Sequence, residues 1–343
     1  MDTKIITNPS EQDIDMLARA LRNGELVSIP TETVYGLGAN GLDPEAMDKI
    51  YAAKGRPSDN PLILHVPNSE STKPLVTEVS ITAQALMDSF WPGPLTITLP
   101  KSDLVPDRAT GGLPRVALRC PDHDGCRMLL ERAGIPIAAP SANISGRPSP
   151  TTAQAVYNDM NGRISYILDA GPCTIGVEST VVEVHDDKVI ILRPGGITKA
   201  QLETVVSTVE YDTALVSGET KPKAPGMKYT HYAPDAPMTV VVGTPESVAN
   251  TFKELSKGIE GPIGCLVSHE TYELIKDDTR FMCHCFGHHG DALALGHDFY
   301  KSLLHFNENR VTLILAEGVN DDGFGVAIMN RMEKASGHHI IYK

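Results

Sequence analysis

Two cationic side chains, Lys54 and Arg56, lie two positions apart where a predicted helix ends. Gly55 separates them, and Pro57 stops the helix from continuing. A lysine ammonium acts as a point charge and an arginine guanidinium as a planar fork, so the pair suits recognition of a polyphosphate. Cations at a helix C-terminus also stabilise the helix dipole, so the pair alone leaves a structural role open.

Further hydroxyl, amide and cationic side chains follow predicted strands. The segment 141–143, Ser-Ala-Asn, comes after an apolar run, and 149–151, Ser-Pro-Thr, opens a helix whose free N–H groups can bind an anion. Arg119 and Arg193 each stand at the end of a strand. Ligand sites of α/β proteins lie at strand ends, so the sequence predicts an anion-binding site there.

The elements that must position these residues predict an α/β protein of two domains. A chain of 343 residues is longer than one hydrophobic core usually organises. Helical and extended signals alternate over 1–210, and strands at 180–184 and 189–192 are too close for a helical crossover. We therefore expect a twisted mixed sheet with flanking helices at 1–210, a linker at 211–237 and a smaller Rossmann-like α/β domain at 238–343.

Composition and charge exclude several classes of protein. The net charge of -13 repels polyphosphate at long range and argues against stable nucleic-acid binding. No run approaches the ~18–20 apolar residues of a bilayer span, and residues 1–10 lack the features of a signal peptide. The cysteines are too sparse for a disulfide scaffold. We expect a cytoplasmic protein with reduced thiols and no membrane association.

A glycine motif at 36–41 matches G-x-G-x-x-G, the fingerprint of dinucleotide-binding folds. That fingerprint requires an acidic residue about 20 positions downstream, where this chain has Lys54 and Arg56. We interpret the motif as a flexible turn rather than an NAD site. The sequence contains no P-loop motif, so a nucleotide would be held in another way.

Cys283, His284 and Cys285, followed by His288 and His289, raise the alternative of a zinc site. Alternate residues of a strand point to opposite faces, and a second ligand pair with zinc spacing is missing from the sequence. We expect the two cysteines to share one buried face, with the histidines in a surface turn. No structural metal is predicted.

Several motifs occur in the order typical of the YrdC-like family. They are PTETVYGLG at 30–38, KGRP at 54–57, NPL at 60–62, WPGPLT at 91–96, SAN at 141–143 and ESTV at 178–181. The segment APGMKYTHYAP at 224–234 and the motifs LAEG at 315–318 and MNR at 329–331 resemble the long, two-domain threonylcarbamoyl-AMP synthases. The resemblance covers nearly the whole chain.

This resemblance implies a nucleotidyltransferase reaction. L-threonine, bicarbonate and ATP would give L-threonylcarbamoyl-AMP and pyrophosphate, with Mg2+ on the ATP phosphates. The product would pass to the tRNA threonylcarbamoyl transferase machinery, which modifies adenosine next to the anticodon. The chemistry needs charge neutralisation, because an anionic carbamate attacks a phosphoanhydride.

The family's site residues carry over onto matching positions of this chain. Arg119 is expected to hold the threonine carboxylate, and Arg115 to contact ATP through its backbone. The resemblance implies catalytic roles for Lys54, Arg56, Ser141 and Asn143; ATP contacts at those four and at Asn60, Arg115, Ser149, Arg193 and Tyr232; and threonine contacts at Thr33, His65, Arg119, Ala139 and Ser179.

The predicted linker at 211–237 is long for a connection without secondary structure and is rich in proline. It also carries aromatic side chains that are costly to leave ordered and exposed. We expect it to fold over the site as a lid, with Tyr232 near the ATP phosphates. The alternative is a tether that only spaces the two domains.

Two competing functions remain open at this point. A sheet with a positive concave face could bind double-stranded RNA, which a steep salt dependence of binding would reveal. A related transferase makes carbamoyl-adenylate, but that family adds acylphosphatase-like and zinc-finger segments that this sequence does not show.

Overall fold

The computed structural model describes residues 2–57, 59–213, 215 and 231–343. These residues divide into two units. The first comprises the described residues within 1–145, 149–174 and 178–229, and the second those within 146–148, 175–177 and 230–343. Each unit is built on its own β-sheet.

An 11-stranded sheet organises the first unit. Its strand order is β1-β8-β2-β3-β7-β4-β6-β5-β9-β10-β11, and it contains both parallel and antiparallel pairs, which confirms the predicted mixed α/β fold. The strands are β1 Lys4–Thr7, β2 Val27–Ile29, β3 Gly36–Asn40, β4 Ile63–His65, β5 Leu95–Pro100, β6 Arg115–Arg119, β7 Ile137–Ala138, β8 Tyr166–Asp169, β9 Thr180–Val184, β10 Val189–Arg193 and β11 Val209–Tyr211.

Seven α-helices of the first unit are α1 Glu11–Arg22, α2 Pro44–Lys54, α3 Ile81–Phe90, α4 Asp107–Thr110, α5 Asp124–Ala133, α6 Ala153–Met160 and α7 Lys199–Glu203. A 3-10 helix spans Glu70–Leu75. One apolar cluster joins α1 and α5 to β2 and β7, and a larger one lies between α2, α3 and α6 and strands such as β4 and β5.

Helix α2 shows how the sequence fixes the position of Lys54. The side chain of Asp43 caps the first turn by accepting from the N–H of Glu45, and Pro44 occupies the first helical position. The helix ends at Gly55, whose φ of 61° is the left-handed conformation that glycine adopts without strain. The Asp-Pro pair at 43–44 and the glycine at 55 thus mark both ends of this helix in the sequence.

The structure of the glycine motif at 36–41 differs from our expectation. We interpreted it as a flexible turn, but residues 36–40 form the buried strand β3 between β2 and β7. A Cβ at Gly38 would lie 2.9 Å from the carbonyl oxygen of Val27. Glycine is therefore needed at this position because the two strand backbones lie close together, and not because the segment is mobile.

The second unit carries a five-stranded sheet of order β14-β13-β15-β12-β16, and its four pairs of neighbouring strands are all parallel. Helix α9 and strand β16, like β1 in the first unit, did not emerge from the sequence patterns. The elements are β12 Met238–Val242, α8 Pro245–Leu255, β13 Ile263–Val267, α9 His269–Ile275, β14 Phe281–Cys285, α10 Ala292–Glu308, β15 Leu313–Glu317, α11 Gly325–Ala335 and β16 Ile340–Tyr342.

Cys283 and Cys285 lie on β14 and pack against the same apolar cluster as the buried Cys265 of β13, but they are half-buried rather than buried as expected. Across the described ranges, no three or more His, Cys, Asp and Glu side chains are grouped in a way that could hold a metal ion. The helices within those ranges are all too short or too polar to cross a lipid bilayer.

Candidate active site

Lys54 joins the two segments that the sequence predicts to bind phosphate. It is the last residue of α2, and its side chain is buried. Nζ donates to the carbonyl oxygen of Asn143 at 2.6 Å and to that of Ser141. The structure therefore brings the 54–57 and 141–143 segments into direct contact.

The charge on Lys54 depends on its neighbours. Burial lowers the pKa of Lys54 well below its usual value, and the positive charge of Arg56 lowers this pKa further, while Asp159 and Glu178 act in the opposite sense. A bound phosphate would also favour the charged ammonium. Lys54 is therefore a cation whose charge an anionic ligand would stabilise.

Arg56 and Asn60 flank the turn after α2. Nη2 of Arg56 donates to the carbonyl oxygen of Pro61 at 3.3 Å. Asn60 is buried, and its own carbonyl oxygen accepts from the hydroxyl of Tyr51 at 3.1 Å. The side-chain oxygen of Asn60 accepts no hydrogen bond from the residues described, so it can receive one from a ligand.

Backbone contacts hold the 141–143 loop against the sheet. Ser141 pairs with Gly36 in an isolated antiparallel bridge, and the N–H of Ala142 donates to the carbonyl oxygen of Tyr35 at 2.9 Å. Nδ2 of Asn143 donates to the carbonyl oxygen of Ile144 at 2.8 Å. This loop is fixed before any ligand binds.

Ser149 and Glu178 form a second polar contact. Both are buried, and the Ser149 hydroxyl donates to Oε1 of Glu178 at 2.7 Å. Since Glu178 raises the pKa of Lys54, Ser149 lies in the same electrostatic neighbourhood as the lysine. The expectation that 149–151 opens a helix is wrong, because Thr152 is the N-cap of α6 and the helix begins at Ala153.

Arg193 and Ser179 are brought together where β10 ends and β9 begins. The guanidinium donates to the carbonyl oxygen of Ser179 from Nε at 3.2 Å and from Nη2 at 3.0 Å. The Ser179 hydroxyl lies 2.8 Å from that of Thr96 on β5. Thr96 thus links Ser179 and Arg193 to β5, the strand that pairs with β6.

Arg119 and His65 are register partners on β6 and β4. Burial lowers the pKa of His65 to about 3, with the charge of Arg119 adding to this effect, so the imidazole is neutral at pH 7. Nη2 of Arg119 lies 2.7 Å from Oε2 of Glu32. Arg119 is therefore paired with a carboxylate of the chain itself.

Thr33 and Ala139 lie beside this pair. Thr33 directly follows Glu32, and its hydroxyl is 2.8 Å from that of Thr31. The N–H of Ala139, next to the end of β7, donates to the carbonyl oxygen of Ile63 at 3.0 Å. His65 and Arg119 thus lie on neighbouring strands, Ala139 and Ser179 lie next to strand ends, and Thr33 lies in the turn between β2 and β3. The roles of these five predicted threonine contacts remain predictions.

Arg115, another predicted ATP contact, lies at the start of β6. Its Nη2 donates to the carbonyl oxygens of Thr98 at 2.7 Å and Val184 at 2.8 Å. A cavity of about 210 Å³ lies beside it, with Pro61, Leu62, Leu113, Pro114 and Ala117 among its mainly apolar lining. The side chain of Arg115 is committed to the sheet, which leaves its backbone for the predicted contact.

Tyr232 belongs to the second unit. It is buried with a φ of 66°, and its ring centroid lies 5.3 Å from that of Tyr300 and 5.8 Å from the guanidinium carbon of Arg331. Residues 216–230 of the predicted lid lie outside the described residues. The ATP contact of Tyr232 and the lid therefore stay predictions.

Sequence reasoning assigned no role to Glu32, Thr96 or Glu178, although it quoted all three within motifs. Each was visible only as a polar residue in a matched segment. Their importance arises from partners far along the chain, such as Arg119 for Glu32 and Ser149 for Glu178. An acidic residue directly before a predicted threonine-binding residue, as in Glu32-Thr33 and Glu178-Ser179, was the signal that the sequence offered.

Comparison with known families gives two matches that together cover most of the chain. A Sua5–YciO–YrdC model, described as "Telomere recombination", matches residues 19–195. A second, described as "Threonylcarbamoyl-AMP synthase, C-terminal domain", matches residues 197–337.

Full-length relatives agree with these matches. A threonylcarbamoyl-AMP synthase of Bacillus subtilis is 45% identical over 97% of this chain and 95% of its own. One of Pyrococcus abyssi is 44% identical over 96% of both chains. The crystal structure of P. abyssi Sua5 complexed with L-threonine superposes with a TM-score of 0.90 at 41% identity, covering all of both chains.

Proposed function

The chain belongs to the two-domain threonylcarbamoyl-AMP synthase family, and we propose that it condenses L-threonine, bicarbonate and ATP into L-threonylcarbamoyl-AMP, releasing pyrophosphate. Relatives of that name share its whole length, and one solved relative is complexed with L-threonine. The contact of buried Lys54 with Ser141 and Asn143 is the observation that carries the proposal, because it unites the predicted phosphate-binding segments.

In the proposed reaction the threonine amine and bicarbonate first form a carbamate. The carbamate oxygen then attacks the α-phosphorus of ATP, and pyrophosphate leaves. Lys54, Arg56 and Arg193 would stabilise the negative charge that accumulates on the phosphates. Fixed positions of these groups, rather than a covalent nucleophile on the protein, would supply most of the rate enhancement.

Mg2+ is proposed to arrive with ATP. Since no metal-binding cluster of acidic, histidine and cysteine side chains occurs among the described residues, the phosphates themselves would supply most of its ligands. Glu178, a hard oxygen donor close to Lys54, is the protein group that fits such an ion. When bound, the ion would neutralise phosphate charge.

We propose that the adenine base occupies the cavity beside Arg115. Planar bases bind well in mainly apolar cavities with a few polar groups at the edge. The backbone of Arg115 would supply one such group, and the cavity lining also contains the polar residues Thr98, Thr110 and Glu183. The phosphates would then extend towards Arg56 and Lys54.

The remaining expectations are part of the same proposal. Residues 1–210 would form the catalytic domain, 211–237 a linker or lid, and 238–343 a Rossmann-like domain. The enzyme would be a nucleotidyltransferase, and its adenylate product would pass to the tRNA threonylcarbamoyl transferase machinery. Both steps would take place in the cytoplasm, where ATP and tRNA are available.

An omission assay tests the function. Pyrophosphate release from ATP should require both L-threonine and bicarbonate, with mass spectrometry identifying L-threonylcarbamoyl-AMP. Equal release with L-serine, or release without bicarbonate, would indicate a different adenylating enzyme. Tight binding of double-stranded RNA that weakens steeply with salt would support the nucleic-acid alternative instead.

A further inference from the structure

Glu32 is a buried carboxylate with an incomplete set of partners. The side chains of Glu32 and Arg119 are 7% and 5% exposed, and Oε2 lies 2.7 Å from Nη2. The two charges are close, yet they are not aligned as a hydrogen bond. Neither oxygen of Glu32, nor Nη2 of Arg119, makes a hydrogen bond to any residue of the described chain.

Such an arrangement is costly unless a ligand completes it. A buried polar group without a hydrogen bond destabilises a protein by about 1–3 kcal/mol, and by more if it is charged. Here an unsatisfied acceptor stands beside an unsatisfied donor. Nδ1 of His65, on the strand next to Arg119, is also buried without a hydrogen bond to the described residues. These atoms belong to one polar cluster on β4, β6 and the start of the 32–34 turn.

The polarity of the pair is complementary to the main-chain end of an amino acid. The guanidinium of Arg119 matches a carboxylate, and the carboxylate of Glu32 matches an ammonium group. An amino acid zwitterion carries no net charge, so its entry leaves the charge balance of the buried pair unchanged. A ligand with two negative groups would not have this advantage.

We propose that Glu32 receives the ammonium group of L-threonine and takes one proton from it, which makes Glu32 a catalytic residue of the proposed reaction. This inference rests on the proposed function, because it assumes that threonine binds at Arg119. Oε2 of Glu32 lies 2.7 Å from Nη2 of Arg119, so an amino acid whose carboxylate binds Arg119 can reach Glu32 with its ammonium group.

The proton transfer has a defined place in the chemistry. Glu32 accepts one proton from the ammonium and leaves a neutral amine. The amine lone pair forms the C–N bond with the carbon of bicarbonate, and the C–OH bond of bicarbonate breaks. The leaving hydroxide takes the second amine proton and departs as water, so the products are the carbamate anion, water and protonated Glu32.

A comparison of two ligands and two proteins tests the assignment. Calorimetry would measure the binding of L-threonine and of 2,3-dihydroxybutanoate, which keeps the carboxylate and the 3-hydroxyl but has a hydroxyl in place of the ammonium. The wild-type protein should prefer L-threonine by about 10- to 100-fold, as a charge-assisted hydrogen bond requires. Glu32→Gln should reduce this preference to about threefold or less, since its amide offers a neutral acceptor.

A structural role for Glu32 predicts a different pattern. If Glu32 only orients Arg119, the substitution should weaken both ligands equally and leave the preference intact, which would overturn the proposal. An unchanged affinity for both ligands would overturn it as well. Glu32→Asp keeps the charge and should retain most of the preference, so it serves where Glu32→Gln folds poorly; loss of preference in a folded Glu32→Asp protein would also count against the assignment.

Two further measurements separate this inference from the proposed function. Binding of ATP should be the same in wild type and Glu32→Gln. If wild type binds threonine and makes the adenylate but the preference survives in Glu32→Gln, only the role of Glu32 fails. If wild type neither binds threonine nor makes the adenylate, the proposed function fails.

Discussion

Two buried glutamates, one in each unit, have opposite surroundings. Glu317, where β15 ends, accepts from the N–H of Ser268 at 2.8 Å and from the Ser268 hydroxyl at 2.9 Å, and its Oε1 lies 2.7 Å from Nδ1 of His289. The side-chain oxygens of Glu32 make no hydrogen bond to the described residues, and the guanidinium of Arg119 beside them is misaligned. The fold thus supplies hydrogen-bond donors to the carboxylate of Glu317 but not to that of Glu32.

The difference separates two uses of a buried charge. A carboxylate whose hydrogen bonds are supplied by its own unit holds strands and helix ends together. One that lacks them makes the folded state less stable in exchange for affinity towards a ligand. Lys54 is an intermediate case, because Nζ donates hydrogen bonds to the 141–143 loop while burial lowers its pKa.

The largest expected effect concerns that intermediate case. Lys54→Met removes a cation from the proposed phosphate site and two hydrogen bonds to the 141–143 loop. At about 1.5–3 kcal/mol for each charged contact, we expect kcat/KM for pyrophosphate release to fall by about a hundredfold or more. Steady-state kinetics measures this.

The exposed Lys73 offers a matched control, and Lys73→Met should leave kcat/KM unchanged. If a folded Lys54→Met protein kept near-normal kinetics, Lys54 would belong with Glu317 as a purely structural charge.

Arg119→Ala should have the next largest effect. Loss of the guanidinium should weaken L-threonine binding by about 10- to 100-fold and leave ATP binding within about twofold. Calorimetry with each ligand distinguishes the two. Arg119→Lys keeps the charge without the planar fork and should lie between wild type and Arg119→Ala. A larger loss for ATP than for threonine would reassign Arg119 to the nucleotide.

Glu317→Gln addresses the other half of the comparison. The amide would turn a donor towards one of the donors that Glu317 now satisfies, which should lower the free energy of unfolding of the second unit by about 1–3 kcal/mol. Hydrogen exchange in β13 and β15 would report this loss. Pyrophosphate release should remain within about twofold of wild type. A folded Glu317→Gln protein with strongly reduced turnover would break the contrast between the two glutamates.

The smallest effect concerns His65 and pH. Its pKa is about 3 in the folded protein, against about 6.5 in an unfolded chain. As pH falls below 6.5, the unfolded chain binds a proton that the folded protein does not, so stability decreases. Between pH 6.5 and 5.5, wild type should lose about 1 kcal/mol more than His65→Gln, which cannot titrate. Equal losses in urea unfolding would show that His65 is not held neutral.

The sequence predicts those elements whose signals lie within a few neighbouring residues. The end of helix α2 was predicted because its stop signals, Gly55 and Pro57, are local, and the hairpin of β9 and β10 was predicted because the two strands are close in sequence. Strand β3 was misread because glycines in a sheet and in a turn look alike until the neighbouring strands are known. Strands of three or four residues, such as β1 and β16, carry too few positions to show periodicity.

The site shows the same limit. Residue types and motif order indicated Lys54, Arg119 and their companions. Arg119 and Glu32 are 87 positions apart in the sequence, and they pair because the fold brings β6 next to the turn after β2. No spacing rule relates such residues, so their contact had to be seen in the fold.

Arg115 carries a consequence for how this protein can change over evolutionary time. Its guanidinium ties β6 to carbonyl groups of β5 and β9, while the nucleotide contact proposed for this position uses only the backbone. Selection on residue 115 would then come from the sheet rather than from the choice of nucleotide. Substitutions that keep the three strands in place could accumulate there without altering which base is recognised. The residue type at position 115 and the base specificity of the protein can therefore change independently.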